Sequence, residues 1–398
     1  MPKKKLAFIL GIRPDIIRAS LVLKRLFAQD KHEIVFIWSG QHYSDSLKDV
    51  FFRDLDVPRP TIELGASGST DAEVSSDIIR KLSPVLEQLQ PEAALFLGDT
   101  NTVVGCIAAA QLNIPIVHFE GCWHSYDWRM PEDKYRTLID QLSDVIYTYF
   151  PEYKYQGIMS GLNPKSIVVT YGNPIMEIID TYYFKQKAKF DELSTPDFFQ
   201  SRGIEKGQYY LMTCHRRENV HIRSSFETIL RLIGHTDRKV YFPASYRTQK
   251  VLQEYGLSLP SNVIMVDPVG YTEMLLLMTN SRGVITDSGT VVEETCVLQI
   301  PCIQVRKATE RPQVYDVGSG VKFDPAEPEK YPLDVIYQKF ESLVGKTWIN
   351  PMGDGKASDR IAEDLLARLD TDGGFRLHKP EDYHMWIERS FREDGLVI

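Results

Sequence analysis

The sequence predicts an α/β protein made of two doubly wound parallel sheets. Short apolar runs alternate with stretches of helical periodicity, as strand-helix-strand units require. That alternation is interrupted once, by the charged and aromatic residues 177–201, and then resumes. With 398 residues, the chain also exceeds one ordinary core.

Residues 5–10 read as a strand, Gly11-Ile12-Arg13-Pro14 as a tight turn and 15–28 as a helix. A second strand (33–38) is followed by the loop Ser39-Gly40-Gln41-His42, a helix (44–55) and a longer helix (71–90). Strands at 93–97 and 115–119 flank a helix over 101–112, and Pro131 suits the first position of another helix, where its missing N–H costs nothing. Strands at 145–149 and 166–170 complete a first domain, residues 1–173, ending in Tyr171-Gly172-Asn173-Pro174. The crossing helix begins near Glu177. Strands at 209–213, 239–244, 263–267, 283–286 and 301–305, with helices at 223–233, 272–280 and 291–299, form a second domain, residues 174–375. It ends with a helix at 358–369. The tail, 376–398, is expected to pack back on the first domain, because Trp386, Ile387 and Phe391 have helix-like spacing.

Composition narrows the function. A net charge of −8 counts against nonspecific nucleic-acid binding. Five cysteines, an odd number with no CxxC pair, fit a reducing cytoplasm better than a disulfide framework. MPKKK and its short apolar run lack the form of a signal peptide, and no segment is long and apolar enough for a membrane span, so a soluble cytoplasmic protein is expected. The GxGxxG fingerprint is absent from the first turn and no cluster has metal-ligand spacing, so neither a cofactor nor a metal is expected.

The chemistry is expected in residues 95–136. Asp99 and Glu120 each lie just past a parallel strand, on the carboxyl edge where open sheets bind ligands. Glu132 falls in the first turn of the helix opened by Pro131, and Arg136 lies one turn on, on the same face. A helix cap explains Asp99 equally well. Glu120, between a buried-looking strand and a glycine, has no capping task, and crowding with Asp99 is expected to raise the proton affinity of at least one of them. Arg13 and Arg18 open a helix whose N-terminus favours an anion. In the second half, His215 with Arg216 and Arg217 suits a pyrophosphate, His215 serving a departing phosphate oxygen. Ser288, Gly289 and Thr290 open a helix toward phosphate, Glu294 can accept from ribose hydroxyls, and Arg311 adds a cleft cation. Solvated surface charge is the plain alternative for the arginines.

The motifs GIRPDIIR, SGQHYSD, GDTN, HFEG, MPEDKYR, YGNP, HRREN, DSGTVVEE and TERP, in this order, resemble the non-hydrolysing UDP-N-acetylglucosamine 2-epimerase family from Lys5 to about Asp324. That resemblance implies two Rossmann-like domains facing a cleft, the glycosyltransferase-B arrangement, with a C-terminal helix returning to the first domain. It implies Asp99, Glu120, Glu132 and His215 as catalytic groups and Arg136 as an active-site arginine. Arg13, Arg18, Gln41, His42, Asn173, Arg216, Met274, Ser288, Gly289, Thr290, Glu294 and Arg311 are expected to bind substrate. The implied reaction is anti-elimination of UDP to a glycal and re-addition after protonation at C2, in a homodimer that needs no cofactor, for surface polysaccharide precursors.

Two departures bear on the sugar. The acidic loop reads EGCWHSYDWRMPED, with Glu120 and Glu132 twelve positions apart, and DSGT replaces DSGG. Both resemble the branch that forms UDP-N-acetyl-L-fucosamine, although His124 stands where arginine is usual even there. The substrate pair is therefore UDP-GlcNAc/UDP-ManNAc or a UDP-2-acetamido-2,6-dideoxy-L-hexose pair. A glycosyltransferase of the same fold, a hydrolysing epimerase and a nucleotide-sugar binder without turnover are the competing readings. They would show, respectively, acceptor-dependent product, free UDP and sugar, and ligand-dependent stabilisation alone.

Overall fold

The computed structural model describes residues 3–40 and 45–377. Two parallel sheets organise them. The first contains β1 (Lys5–Leu10), β2 (Glu33–Trp38), β3 (Ile62–Glu63), β4 (Ala93–Leu97), β5 (Ile116–Phe119), β6 (Val145–Thr148) and β7 (Ile167–Val169), in the order β3-β2-β1-β4-β5-β6-β7. The second contains β8 (Tyr209–Thr213), β9 (Lys239–Pro243), β10 (Val263–Val266), β11 (Gly283–Thr286), β12 (Cys302–Val305) and β13 (Gly320–Phe323), in the order β10-β9-β8-β11-β12-β13. Every named pair is parallel, which accounts for strands such as FIL and LFL being buried on both faces rather than alternating. Both are doubly wound α/β layers, facing a shared cleft in the glycosyltransferase-B manner.

Strand order reverses between β1 and β4 in one sheet and between β8 and β11 in the other. At such switch points the loops leaving the carboxyl ends diverge and open a crevice. Gly11 and Gly98-Asp99 leave the first pair; Cys214-His215 and Asp287-Ser288 leave the second. Close packing holds the first switch point together. Ser39 and Thr102 hydroxyls hydrogen-bond at 2.9 Å over Gly11, where a Cβ would lie 1.8 Å from Thr102 Oγ1.

The chain crosses between domains twice, and the crossings touch. Gly172 and Gly353 form an antiparallel bridge, and Asn173 N–H donates to the Met352 carbonyl at 2.9 Å. A Cβ on Gly353, whose φ is +92°, would lie 2.4 Å from Gly172 Cα. The returning helix Ala357–Asp370 then buries Ile361, Leu365 and Leu369 in the first domain's core. Tyr147 on β6 donates to Asp364 at 2.6 Å, and Arg376 to the Asn113 carbonyl at 2.9 Å. The return thus begins at residue 357, not after 375, because the apolar stripe of this helix faces the helix Arg13–Phe27. Residues 378–398, most of the expected tail, lie outside the described residues.

Elements differ from expectation in other places. Residues 101–105 wind as a 3-10 turn before the α-helix Cys106–Gln111, and Gly105 sits close under Leu82. Unanticipated are the edge strands β3 and β13 and the helices Tyr246–Glu254, Gln313–Asp316 and Leu333–Leu343. No described helix is long and apolar enough to cross a membrane.

Candidate active site

Glu120 occupies the centre of the cleft and is buried. Its backbone has φ +74°, and Cys122 and Tyr126 follow at +64° and +56°. Left-handed geometry is disfavoured for side chains with a Cβ, by about 1–2 kcal/mol per residue, and glycine is the ordinary occupant. A glutamate held there, immediately before Gly121, marks a position where the carboxylate is needed. Arg18 ion-pairs with it, Tyr149 donates to Oε2 at 2.9 Å, and guanidinium nitrogens of Arg136 and Arg311 lie 3.7 and 3.9 Å from Oε1.

Arg136 links the acids. It donates to Asp99 Oδ2 at 2.7 Å and to the Glu120 carbonyl. Burial opposes ionisation of Asp99, but Arg136, Arg216 and Arg18 outweigh it and hold the carboxyl at about 2. The rise in proton affinity expected of at least one of Asp99 and Glu120 does not occur at Asp99, because Arg136 pairs with it. Glu132 shows a rise. That side chain is mostly enclosed, its Oε2 has no hydrogen-bond partner, and the nearest cation, Arg216, is 3.8 Å away. Burial pushes its pKa up, with Arg216 opposing. Asp99 is thus held toward its ionised form while the proton affinity of Glu132 is raised, the direction of separation that acid-base chemistry uses.

The Arg18 guanidinium pairs with Asp15, at 2.9 Å, and with Glu120, both buried, so it faces these carboxylates. Arg311 crosses between the domains. It donates to Glu293 at 2.6 Å, pairs with Glu310, and lies 4.6 Å over the Trp123 ring. Gly289 makes room for it, since a Cβ there would lie 2.4 Å from Nη1. Asn173 sits at the interdomain crossing, donating to Glu293 at 3.0 Å.

Beside this network is a cavity of about 170 Å³ lined by His215, Met274, Ser288, Thr290 and Glu294 from the second domain and by Pro14, Ile17 and Phe51 from the first. Ser288 caps the helix Gly289–Val297, accepting from Val291 N–H at 3.4 Å. The backbone N–H groups of His215 and Arg216 are tied to Asp287 at about 3 Å, which fixes the HRREN turn to the DSGT turn. The enclosing walls lower the pKa of His215, with Asp287 opposing, although 45% of its side chain remains open. A neutral ring can both donate and accept. Glu294 accepts from Tyr271 at 2.9 Å, and burial raises its pKa to about 8.

The expected residues thus fall into a charged network (Asp99, Glu120, Glu132, Arg136, Arg18, Arg216, Arg311, with Gly289 and Asn173 supporting) and a neighbouring cavity (His215, Met274, Ser288, Thr290, Glu294). Gln41, His42 and the side chain of Arg13 lie outside the described residues. Sequence reasoning missed Tyr149, Trp123, Tyr271, Glu293 and the buried set His118, Asp133 and Asp140 around His124. Only two signals pointed at that set: a histidine inside an apolar strand, and two aspartates on the inner face of the helix Pro131–Leu142. Among the described residues, no group of His, Cys, Asp and Glu could hold a metal ion.

Comparison with known proteins gives the same assignment independently of this geometry. The family model for UDP-N-acetylglucosamine 2-epimerase matches residues 24–366. The UDP-N-acetylglucosamine 2-epimerase of Methanocaldococcus jannaschii is 33% identical, over 91% of this chain and 98% of its own. The UDP-2,3-diacetamido-2,3-dideoxy-D-glucuronate 2-epimerase of Pseudomonas aeruginosa is 30% identical, over 92% and 100%. A crystal structure of the M. jannaschii enzyme in complex with UDP-GlcNAc and UDP superposes with a TM-score of 0.79 at 30% identity, covering 91% of this chain and 99% of that one. A match across both sheets and both crossings, joined to three acids gathered among arginines, makes this chain an epimerase and a member of the UDP-N-acetylglucosamine 2-epimerase family.

Proposed function

We propose that the protein interconverts a UDP-2-acetamido sugar and its C2 epimer without net loss of UDP. The observation that carries this is three acids gathered among arginines, with Asp99 held toward its ionised form and the proton affinity of Glu132 raised by burial, next to the cavity of His215, Ser288 and Glu294. The nucleotide lies in that cavity, against the N-terminus of the helix Gly289–Val297, with Glu294 toward the ribose. The C2 proton is not next to a carbonyl, so a base can take it only as the C1–O bond to UDP breaks. The bonding pair of C2–H becomes the C1–C2 double bond of a glycal, and the C1–O pair leaves with UDP. Carboxylates around Glu120 stabilise positive charge at C1, while His215 and Arg216 hold the pyrophosphate. Re-addition of UDP at C1, with a proton delivered to the other face of C2 by Glu132, completes the inversion.

Names of the relatives support the substrate class. One is an epimerase of UDP-N-acetylglucosamine and another of a UDP-diacetamido glucuronate, so C3 and C6 vary around a 2-acetamido group. The acidic loop resembles the branch acting on the 6-deoxy-L-hexose pair, and the substrate is that pair or UDP-GlcNAc/UDP-ManNAc, serving surface polysaccharide synthesis by a cytoplasmic homodimer. Turnover in deuterium oxide tests the reading: deuterium should enter C2 of the product while free UDP does not accumulate. Product that keeps its original C2 hydrogen would refute the elimination. Accumulating UDP and free sugar would instead identify a hydrolysing enzyme.

A further inference from the structure

His124 follows β5 by five residues, and both edges of its ring are occupied. Nδ1 lies 3.2 Å from Asp133 Oδ1 and Nε2 lies 3.1 Å from Asp140 Oδ2, with the side chain 7% exposed. Ionised carboxylates only accept. A neutral imidazole has one N–H and one lone pair, so it would turn that lone pair on one carboxylate inside a buried site. Nor does Asp140 offer a proton of its own. Its carboxyl also receives the His118 ring at 2.6 Å and the Cys122 N–H at 3.0 Å, and these partners hold it well below the usual range despite burial. Asp133 Oδ1 accepts from Ser125 N–H at 3.3 Å as well. With both aspartates ionised, the imidazolium alone satisfies both edges.

The remaining surroundings are accounted for. The Tyr126 ring stacks on His124 at 5.7 Å, and Gln156 of the helix Pro151–Met159 donates to the His124 carbonyl. Arg136, on the helix Pro131–Leu142, is the nearby like charge. His118 of β5 reaches His124 only through Asp140, its other nitrogen lying 2.8 Å from the Gly98 carbonyl. The two aspartates span the same helix as the reactive groups: Asp133 follows Glu132, and Asp140 lies one turn beyond Arg136.

We infer that His124 is a positioning residue which, as an imidazolium, ties the loop 121–130 to both ends of the helix Pro131–Leu142 and so holds Glu132 and Arg136 in register with Asp99. This rests on the reading of Glu132 as the acid. Burial opposes the charge on His124, but Asp133 and Asp140 outweigh it and raise its pKa. The tie is therefore complete at low pH and is lost as pH rises through that raised value. Turnover falls on the alkaline side as a result, while KM changes little, because the nucleotide cavity lies mainly on the other domain.

Kinetics across about pH 5.5–9.5 for the wild type, His124→Gln and His124→Arg test this. His124→Gln should lower kcat roughly 10- to 100-fold, the scale of a misplaced catalytic group, with KM within about twofold. Arginine stays charged and can face two carboxylates, so His124→Arg should recover most of kcat and move the alkaline break upward by about one unit or more. An alkaline limb in His124→Arg that overlays the wild type overturns the inference. If the variants do not fold, histidine side-chain NMR of the wild-type protein decides: an imidazolium at His124 persisting above about pH 7 supports it, and a neutral tautomer there overturns it. Glu132→Gln is measured alongside. Full activity in that variant would overturn the role of Glu132 itself, whereas an inactive Glu132→Gln with a wild-type-like His124→Arg profile overturns only the assignment of His124.

Discussion

At the scale of single residues, the site separates acids by what surrounds them. Asp99 and Glu132 differ because arginine touches the first at 2.7 Å and stands 3.8 Å from the second. Asp99→Asn and Glu120→Gln should each lower turnover by about two to four orders of magnitude, with circular dichroism confirming the fold. Glu294 is a third case, raised to about 8 by burial with Tyr271 as its hydrogen-bond donor. The folded protein therefore binds a proton there that the unfolded chain releases near the ordinary carboxylate pKa. Between those values the folded state holds more protons, so stability falls as pH rises through the window. Glu294→Gln removes this contribution, and its melting temperature should drop less than the wild type's between about pH 5 and 8, by about 2 °C or more. Parallel curves would show that Glu294 is ionised throughout.

At the scale of elements, β5 and the helix Pro131–Leu142 form one unit. Gly121 is where they touch: a Cβ would lie 2.3 Å from Ile146 Cγ2, 2.6 Å from Asp140 Oδ1 and 2.9 Å from His118 Nδ1. None of these is the far end of a flexible chain, so backbone or carboxylate must move. Gly121→Ala should cost about 1–3 kcal/mol and reduce turnover together with stability, measured by denaturant unfolding and kcat. A variant as stable as the wild type would mean that the His118-Asp140 pair shifts freely. Apolar run length made β1, β2, β8 and β11 legible to the residue. The 3-10 turn at Asn101–Gly105 was not legible, since its residues have the apolar pattern of a helix and its packing partner Leu82 is distant in the chain. β3 and β13 were missed for a related reason: short edge strands carry weak patterns, and Lys322 and Glu63 in them face no second layer that would demand an apolar residue.

At the scale of the molecule, the cleft is closed by contacts between domains. Arg217 pairs with Asp71, Tyr153 donates to the Glu310 carbonyl at 2.9 Å, and Thr272 N–H donates to Asp54 at 3.1 Å. The Arg217 pair is partly exposed and pairs of that kind contribute at most about 1 kcal/mol. Arg217→Ala should accordingly raise KM for the UDP-sugar by no more than about fivefold and leave kcat nearly unchanged. A loss of kcat of a hundredfold would place Arg217 on the pyrophosphate itself, the alternative that the HRREN motif leaves open.

The sequence by itself determined the fold class, the two crevice edges and the identity of the acids that share them, because strand periodicity and parallel pairing place the residue after each strand at one edge whatever the rest of the chain does. It also located His215, the serine-glycine helix start and Glu294, each next to a strand end. Only the tertiary structure showed which acid has its proton affinity raised, that Arg18 pairs with Glu120, that the helix Ala357–Asp370 packs against the helix Arg13–Phe27, and that His124 is clamped by two aspartates. Those outcomes depend on distances between side chains far apart in the chain and on how much water the packed domains exclude, and neither quantity is written in local pattern.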